Sequence, residues 1–347
     1  MKLPFKPACH PLLLGGLPHR SAAQALDLSR RYAGKLLAWP QLPQRSFRER
    51  SFVQSAIGFP GLEIDAEQPR IYIDRGRAVQ ALDQLALAYL ENDSGYASLA
   101  ADDAAGLEEL VRQGDNVRGA LALKGQLLGP ISLAAQLTDE HDRPLIYDDM
   151  LFEALVQHLR LRAAWQAARL SELSATIIMC LEEPFLETVA TPFMPVDWER
   201  ARALIEETLA GVGGYKALFA CGAVDWSEAL QMSLDLFIAD VYDHGQALVA
   251  AAPALAALLA SGGSVGLGLV PNDEEALADA TAERLVARVI TLAGDLERAG
   301  VPTERLLRQS LISTTGTLGR LTIPAAERAL QLVAEVSKLL REQYALA

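Results

Sequence analysis

The sequence has few of the residues that cross-link a chain or carry it into a membrane. Only three of its 347 residues are cysteines, at positions 9, 180 and 221. That number is too small for a disulfide framework and is typical of a reducing compartment. No apolar run approaches the roughly 20 residues of a membrane-spanning helix, and the first residues, with Pro4 and Pro7, do not follow the pattern of a secretory signal. We therefore expect a cytoplasmic protein without a membrane partner.

The chain also lacks an excess of positive charge. Its 31 lysines and arginines are outnumbered by 44 aspartates and glutamates, which gives a formal net charge of −13. A surface of this sign repels a phosphate backbone, so nucleic acid is not an expected partner. Apolar residues, by contrast, make up 51% of the chain, and this is enough to build a large core.

Short apolar segments alternate with amphipathic segments along the chain. An uninterrupted apolar run is typical of a buried parallel strand, and a 3.6-residue period is typical of a helix. About eight such strands separated by helices predict a (β/α)8 barrel. An open doubly wound sheet is the alternative, but no Gly-x-Gly-x-x-Gly turn follows the first strand. The predicted strands cover residues 10–14, 35–40, 120–126, 175–181, 217–220, 234–240, 265–271 and 307–312.

Several predicted helices have recognisable ends. Ser21 is placed to cap the first helix and Gly34 to end it, while Asp148 and Asp149 suit the positive N-terminus of a long helix. Two alternating segments, residues 62–65 and 70–74, predict a β-hairpin inserted at about residues 58–76 of a single domain that spans residues 1–347. The other predicted helices cover residues 78–91, 103–114, 197–211, 246–259, 274–299 and 325–344.

Polar residues stand at the carboxyl ends of the predicted strands, where barrels of this kind build their active sites. Cys221 and Asp240 follow neighbouring strands and could converge on a metal ion, and His244 is close enough in sequence to join them. Metal-free binding of a small polar molecule is the alternative. Cys221 could also be an inert core residue, since free cysteine is often buried.

The same rim holds the candidates for substrate binding. Lys124 either faces the site or pairs with Glu182 across the barrel. Of the adjacent acids Glu182 and Glu183, one should face the site and the other away from it, because neighbouring strand residues point in opposite directions. The further candidates are Gly15, Gly16, His19, Gln126 and Asp225.

Taken together, these segments resemble one superfamily. The segments are Gly15-Gly16-Leu17-Pro18-His19, Trp39-Pro40-Gln41-Leu42-Pro43, Lys124-Gly125-Gln126-Leu127-Leu128-Gly129-Pro130, Glu182-Glu183-Pro184, Cys221-Gly222-Ala223-Val224-Asp225-Trp226 and Gly268-Leu269-Val270-Pro271. In this order they are similar to the catalytic C-terminal domain of cobalamin-independent methionine synthase, which shares its barrel with uroporphyrinogen decarboxylase. The resemblance covers nearly the whole chain and implies the barrel fold.

The resemblance also implies a chemistry, in which zinc binds the thiol of homocysteine and the thiolate accepts a methyl group from a folate or a corrinoid protein. The family's zinc ligands would fall on Cys221 and Asp240, and on two positions that hold Phe219 and Thr315 in this chain. Phenylalanine cannot bind zinc and threonine binds it poorly, so the implied zinc site is degraded. The acid that would hold the substrate's amino group corresponds to the Glu182-Glu183 pair.

Three functional hypotheses follow. The first is a methionine-synthase-like methyltransferase, or a diverged descendant, that binds a small thiol or amino acid such as homocysteine, with Cys221 and Asp240 as its catalytic residues. The second is a non-catalytic barrel that has lost zinc and acts as a binding or accessory protein. The third is a decarboxylase acting on a tetrapyrrole, which is disfavoured because the first strand's rim lacks an Arg-Gln-Ala-Gly-Arg turn.

Overall fold

The fold is an eight-stranded parallel barrel surrounded by helices. A computed structural model describes residues 2–65, 68–117 and 119–346. The barrel strands follow the sheet order β1-β10-β9-β8-β7-β6-β5-β2, which confirms the predicted barrel class. In chain order the strands are β1 (His10–Pro11), β2 (Leu36–Ala38), β3 (Leu62–Asp65), β4 (Arg70–Ile73), β5 (Ala122–Leu128), β6 (Ile177–Glu182), β7 (Tyr215–Ala220), β8 (Leu236–Asp240), β9 (Ser264–Val270) and β10 (Ser310–Thr314).

The barrel closes between β1 and β2 through a single parallel bridge, Gly16 to Gln41. The Leu17 amide donates to the Gln41 carbonyl at 2.9 Å, and the Gln41 amide donates to the Gly15 carbonyl at 3.0 Å. Strands β3 and β4 form a separate antiparallel pair, as predicted for the inserted hairpin. Two residues of the expected turn, 66 and 67, lie outside the described residues. That the whole chain is one domain stays a prediction.

Helices cover the outside of the barrel. They are α1 (Ala22–Ala33), α2 (Ser51–Ala56), α3 (Arg75–Glu91), α4 (Ala105–Arg112), α5 (Gly114–Val117), α6 (Pro130–Gln136), α7 (Asp149–Ser171), α8 (Trp198–Ala210), α9 (Trp226–Ala229), α10 (Gly245–Ala250), α11 (Ala252–Ser261), α12 (Glu274–Asp279), α13 (Ala282–Arg298), α14 (Thr303–Arg308) and α15 (Ile323–Gln343). Within the described ranges, no helix is long and apolar enough to cross a membrane.

The predicted caps are confirmed. The Ser21 hydroxyl accepts from the Gln24 amide, Asp148 accepts from the Leu151 amide, and Gly34 ends α1 with a positive φ of 64°. These caps satisfy amide groups that have no partner inside the helix.

Several predicted elements were wrong in their bounds, including the first two strands, which are shorter than predicted, and the helix predicted at residues 103–114, which is α4 followed by α5. Three further differences have a clear local cause. The last strand was predicted from residue 307, but Leu307 belongs to α14, because a short apolar run does not distinguish a buried helix from a strand. The predicted helix 246–259 is two helices, α10 and α11. The division occurs just before Pro253, because proline has no backbone N–H to donate to the hydrogen bonds of a continuous helix. The predicted helix 274–299 also divides, where the Thr281 side chain caps α13.

Strand residues alternate between two apolar clusters. Ile178 and Cys180 of β6 belong to a cluster inside the barrel, whereas Met179 and Leu181 pack into the layer between strands and helices. Leu3 belongs to the inner cluster and Phe5 packs against it, so the N-terminal segment contacts the inside of the barrel ahead of β1. The inner surface is therefore apolar until the carboxyl ends of the strands.

Candidate functional site

The alternation of the strands places four of the predicted site residues, together with Ser313, inside the barrel at its carboxyl end. On β5, Ala122 is an inner residue, so Lys124 and Gln126 continue the inward series. On β6, β8 and β10, the same reasoning turns Glu182, Asp240 and Ser313 inward. The Glu182 position pairs in register with Phe219, and Asp240 pairs with Gly268, which pairs with Ser313. The rim is therefore a ring of polar side chains on an apolar base.

Glu182 is the most perturbed acid of this ring. Its side chain is 4% exposed, and burial raises the pKa of its carboxyl from 4.5 to about 7, against the opposing effects of Lys124 and of the nearby Ser51 hydroxyl. Its Oε1 atom and the Ser313 hydroxyl are both buried, and neither has a hydrogen-bond partner among the described residues. Buried polar atoms without partners are costly, so both atoms are available to a ligand.

Lys124 lies beside Glu182 without forming an ion pair with it. The Lys124 ammonium donates to the Leu14 carbonyl at 3.0 Å and to Gln126 Oε1 at 3.2 Å. No described carboxylate lies within 4 Å of it. Of the two alternatives for Lys124, direct pairing with Glu182 is therefore wrong, and the lysine acts on Glu182 through the electrostatic field alone. One of its three N–H groups is left for a ligand.

Glu183 points the other way, as expected for the neighbour of an inward acid. It is fully buried behind the strand, where its two carboxyl oxygens accept from the amides of Ile131 at 3.0 Å and Ser132 at 2.8 Å. These are N-terminal amides of α6, so Glu183 caps that helix. Gly129 makes room for it, since a Cβ there would lie 2.3 Å from the Glu183 carboxyl. Glu182 therefore remains for the site.

Gly15 and Gly16 shape the first strand's rim. Gly15 has a φ of +115°, and a Cβ there would lie 2.6 Å from the Gln126 amide group. Gln126 in turn donates from Nε2 to the Trp39 carbonyl at 2.9 Å. A Cβ at Gly16 would lie 2.9 Å from Thr317. Both glycines are therefore needed for close packing at the seam of the barrel.

Cys221 follows β7 and is partly exposed at the rim. Burial raises the pKa of its thiol to about 11, and the negative charges of Asp240 and Glu187 raise it further. The next residue, Gly222, has a φ of +83°, and its missing side chain leaves room for the Glu187 carboxyl, which accepts from the Ala223 amide at 3.0 Å. Cys221 is therefore a neutral thiol in an acidic environment.

Asp240 is held by the turn that follows β8. Its Oδ1 atom accepts from the Tyr242 amide at 3.1 Å and the Asp243 amide at 3.3 Å. Burial is the main cause that raises the pKa of its carboxyl. The charge of Asp243 adds to this rise and the field of His244 opposes it. The charge of Asp240 thus acts on Cys221, and that of His244 acts on Asp240. That these three side chains converge on a metal ion stays a prediction.

Two other predicted residues, His19 and Asp225, lie in loops and contact helices. His19 is buried in the loop after β1, with Nε2 3.8 Å from Glu327 on α15. Burial lowers the pKa of its imidazole. Asp225 is exposed and caps α9 by accepting from the Ser227 amide at 3.0 Å. Sequence reasoning also missed Ser51 and Glu187, because neither lies at a strand end.

The described residues do not fit the zinc centre that the resemblance implies. Phe219 packs in the inner apolar cluster, and the Thr315 hydroxyl is already bonded to Asn272, donating to its Oδ1 atom at 3.0 Å. Across the described ranges, no group of three or more histidine, cysteine, aspartate or glutamate side chains is arranged to hold a metal ion.

Comparison with known proteins agrees with the barrel fold. No protein-family model and no curated protein matches the sequence. In structure, the chain is similar to a B12-independent methionine synthase from Shewanella sp. W3-18-1 in complex with selenomethionine, with a TM-score of 0.59 and 12% identity over 99% of both chains. It is also similar to a methyltransferase from Methanosarcina mazei, with a TM-score of 0.54 and 13% identity over 90% of this chain and 84% of that chain. The chain therefore shares the barrel architecture of these two proteins.

Proposed function

We propose that the chain binds a small thiol or amino acid such as homocysteine at the carboxyl end of its barrel, as a methyltransferase of the methionine synthase type or a diverged descendant of one. The observation that carries the proposal is Glu182. It is a buried, inward-facing carboxyl with an unpartnered oxygen, at the place where barrels of this architecture build their sites.

The chemistry of Glu182 suits an amino group. A carboxyl with a pKa of about 7 is divided between its charged and neutral forms at neutral pH. An ammonium group bound at Oε1 would stabilise the charged form and give that atom its missing hydrogen bond. The remaining N–H of Lys124 would bind an anionic group on the same molecule. A zwitterionic amino acid presents both groups.

The proposal assigns no step to zinc. The methyl donor would be a folate or a corrinoid protein, and Cys221 and Asp240 would line the side of the site where the donor approaches. Because the Cys221 thiol is protonated near neutral pH, its role would be contact with the substrate and not nucleophilic attack.

A second candidate function is a non-catalytic barrel that binds the same class of molecule. The observation that favours it is the pair Phe219 and Thr315, which stand where the resemblance would place zinc ligands and which are committed to packing and to Asn272. Such a protein would retain binding through Glu182 and would transfer no methyl group.

Calorimetric titration with L-homocysteine and L-methionine tests the proposal. We expect binding to the wild-type protein and at least a tenfold loss of affinity in Glu182→Gln, since one buried charge-assisted hydrogen bond is worth about 1.5–3 kcal/mol. Glu199→Gln, an exposed acid on α8, is the matched control and should bind like wild type. Equal binding by Glu182→Gln, or no binding by the wild type, would refute the proposal. Formation of methionine from 5-methyltetrahydrofolate and homocysteine then separates the methyltransferase from the binding protein.

A further inference from the structure

Most lysines of this chain lie at the amino end of the barrel, away from the candidate site. Four of the six lysines, Lys2, Lys6, Lys35 and Lys216, precede a strand or lie at its amino end. Lys124 is the one lysine inside the barrel wall.

A cavity of about 420 Å³ lies at this end, between the N-terminal segment and the turns that lead into β9 and β10. Its walls include the apolar residues Leu3, Phe5 and Leu259. Gln309 fixes the two turns relative to each other, because its Nε2 atom donates to the carbonyls of Leu259 at 2.9 Å and Gly263 at 2.7 Å. The cavity is therefore bounded by turns that hydrogen bonds hold in place, and part of its lining is apolar.

Four cationic side chains line the same cavity, and no described aspartate or glutamate does. Lys2, Lys6 and Arg305 have no ion-pair partner among the described residues. Arg308 donates from Nε to the exposed Glu304 at 2.9 Å, and its terminal nitrogens have no described partner. Like charges held together repel one another, so this arrangement favours an anion between them.

The backbone also accommodates the lysine nearest the β9 turn. Gly262 has a φ of +94°, and a Cβ there would lie 2.3 Å from Lys2 Cε. The glycine thus lets the aliphatic part of Lys2 lie against the turn with its ammonium group beside the cavity.

We propose that this cavity binds a small organic anion with an apolar body and a phosphate group. The volume falls in the range of small-molecule sites, about 300–1,000 Å³. The planar guanidinium groups of Arg305 and Arg308 suit the oxygens of a phosphate, while Leu3 and Phe5 contact the apolar body. The site lies at the opposite end of the barrel from Glu182, so its ligand is not the substrate proposed above.

The test is calorimetric titration of the full chain with 1-naphthyl phosphate beside its neutral analogue 1-naphthol. We expect 1-naphthol to bind at least tenfold more weakly, because it lacks the group that the cations hold. Arg305→Glu should weaken binding of 1-naphthyl phosphate at least tenfold. Lys6→Ala, a smaller change, should weaken it by about threefold to tenfold. Lys35→Glu makes the same charge change as Arg305→Glu at the same end of the barrel but outside this cavity, and should bind like wild type.

Equal binding of the phosphate and the alcohol would overturn the proposal, and so would equal weakening by Arg305→Glu and Lys35→Glu. Binding of a poly-glutamate peptide with no binding of 1-naphthyl phosphate would also overturn it, because the surface would then receive an acidic protein. Circular dichroism of each variant shows whether it is folded. Lys6→Ala keeps the test decisive if Arg305→Glu does not fold.

Discussion

Replacing Glu182 by glutamine should change how the stability of the protein depends on pH. Burial raises the pKa of this carboxyl from 4.5 to about 7 in the folded chain. Each unit of pKa difference is worth about 1.4 kcal/mol, so ionising Glu182 costs about 3 kcal/mol more in the folded than in the unfolded protein.

The sign of the effect follows from which state holds the proton. At a pH below 4.5 the Glu182 carboxyl is protonated in both the folded and the unfolded state, so it does not lower the free energy of unfolding. Between 4.5 and about 7 the folded state keeps a proton that the unfolded state has lost, and the free energy of unfolding falls as the pH rises. Above that window both states are ionised and the loss is complete. Glutamine cannot ionise and avoids this loss.

Denaturant unfolding at several pH values, followed by tryptophan fluorescence, measures the effect. Relative to wild type, Glu182→Gln should gain about 3 kcal/mol between about pH 4.5 and about pH 8. Glu183→Gln is the informative comparison, because the pKa of Glu183 is also raised to about 7. The same linkage should therefore raise the stability of Glu183→Gln relative to wild type as the pH rises through this window. Because both Glu183 oxygens accept amide hydrogens, this variant should in addition lose about 1–3 kcal/mol relative to Glu182→Gln at every pH. A difference between Glu182→Gln and wild type that does not change with pH would refute the reasoning.

Three further predictions concern single side chains. Because the pKa of the Cys221 thiol is raised to about 11, iodoacetamide at about pH 8 should alkylate it at least tenfold more slowly than free cysteine, and mass spectrometry of the labelled peptide would contradict this if the rates were equal. Gly222→Ala should cost about 2 kcal/mol, since it places a side chain at a φ of +83° against the Glu187 carboxyl. Gly213→Ala, where a Cβ meets nothing within 4 Å, is its control in the same unfolding assay and should cost less than half as much. Arg162→Met should lower stability by about 3 kcal/mol or more, because the buried guanidinium donates to three backbone carbonyls that would lose their partner; melting temperatures equal to wild type would contradict it.

The barrel could be predicted from the sequence because its signal is repeated. Eight apolar segments, such as residues 265–271, each indicate a buried parallel strand. An error in the bounds of one segment does not change the alternation of strands and helices. The errors fall where local chemistry is ambiguous, as at Leu307, whose apolar run suits either a helix or a strand.

The candidate site was less predictable, because its properties depend on three-dimensional environment. The sequence indicates that one of Glu182 and Glu183 faces inward, but only the structure shows that Glu183 caps α6 and that Glu182 keeps an unpartnered oxygen. The effect of Glu187 on Cys221 could not be predicted, because it depends on the turn at Gly222.

The most direct test of the central claim is the affinity for L-homocysteine before and after treatment with a zinc chelator, with metal content measured on the same samples. If the site binds through Glu182 and Lys124, the affinity should be unchanged and zinc should be far below one per chain. A content of about one zinc per chain, together with a loss of homocysteine binding on chelation and in Cys221→Ala, would contradict the account. The chain would then hold a metal centre to which Cys221 contributes a ligand.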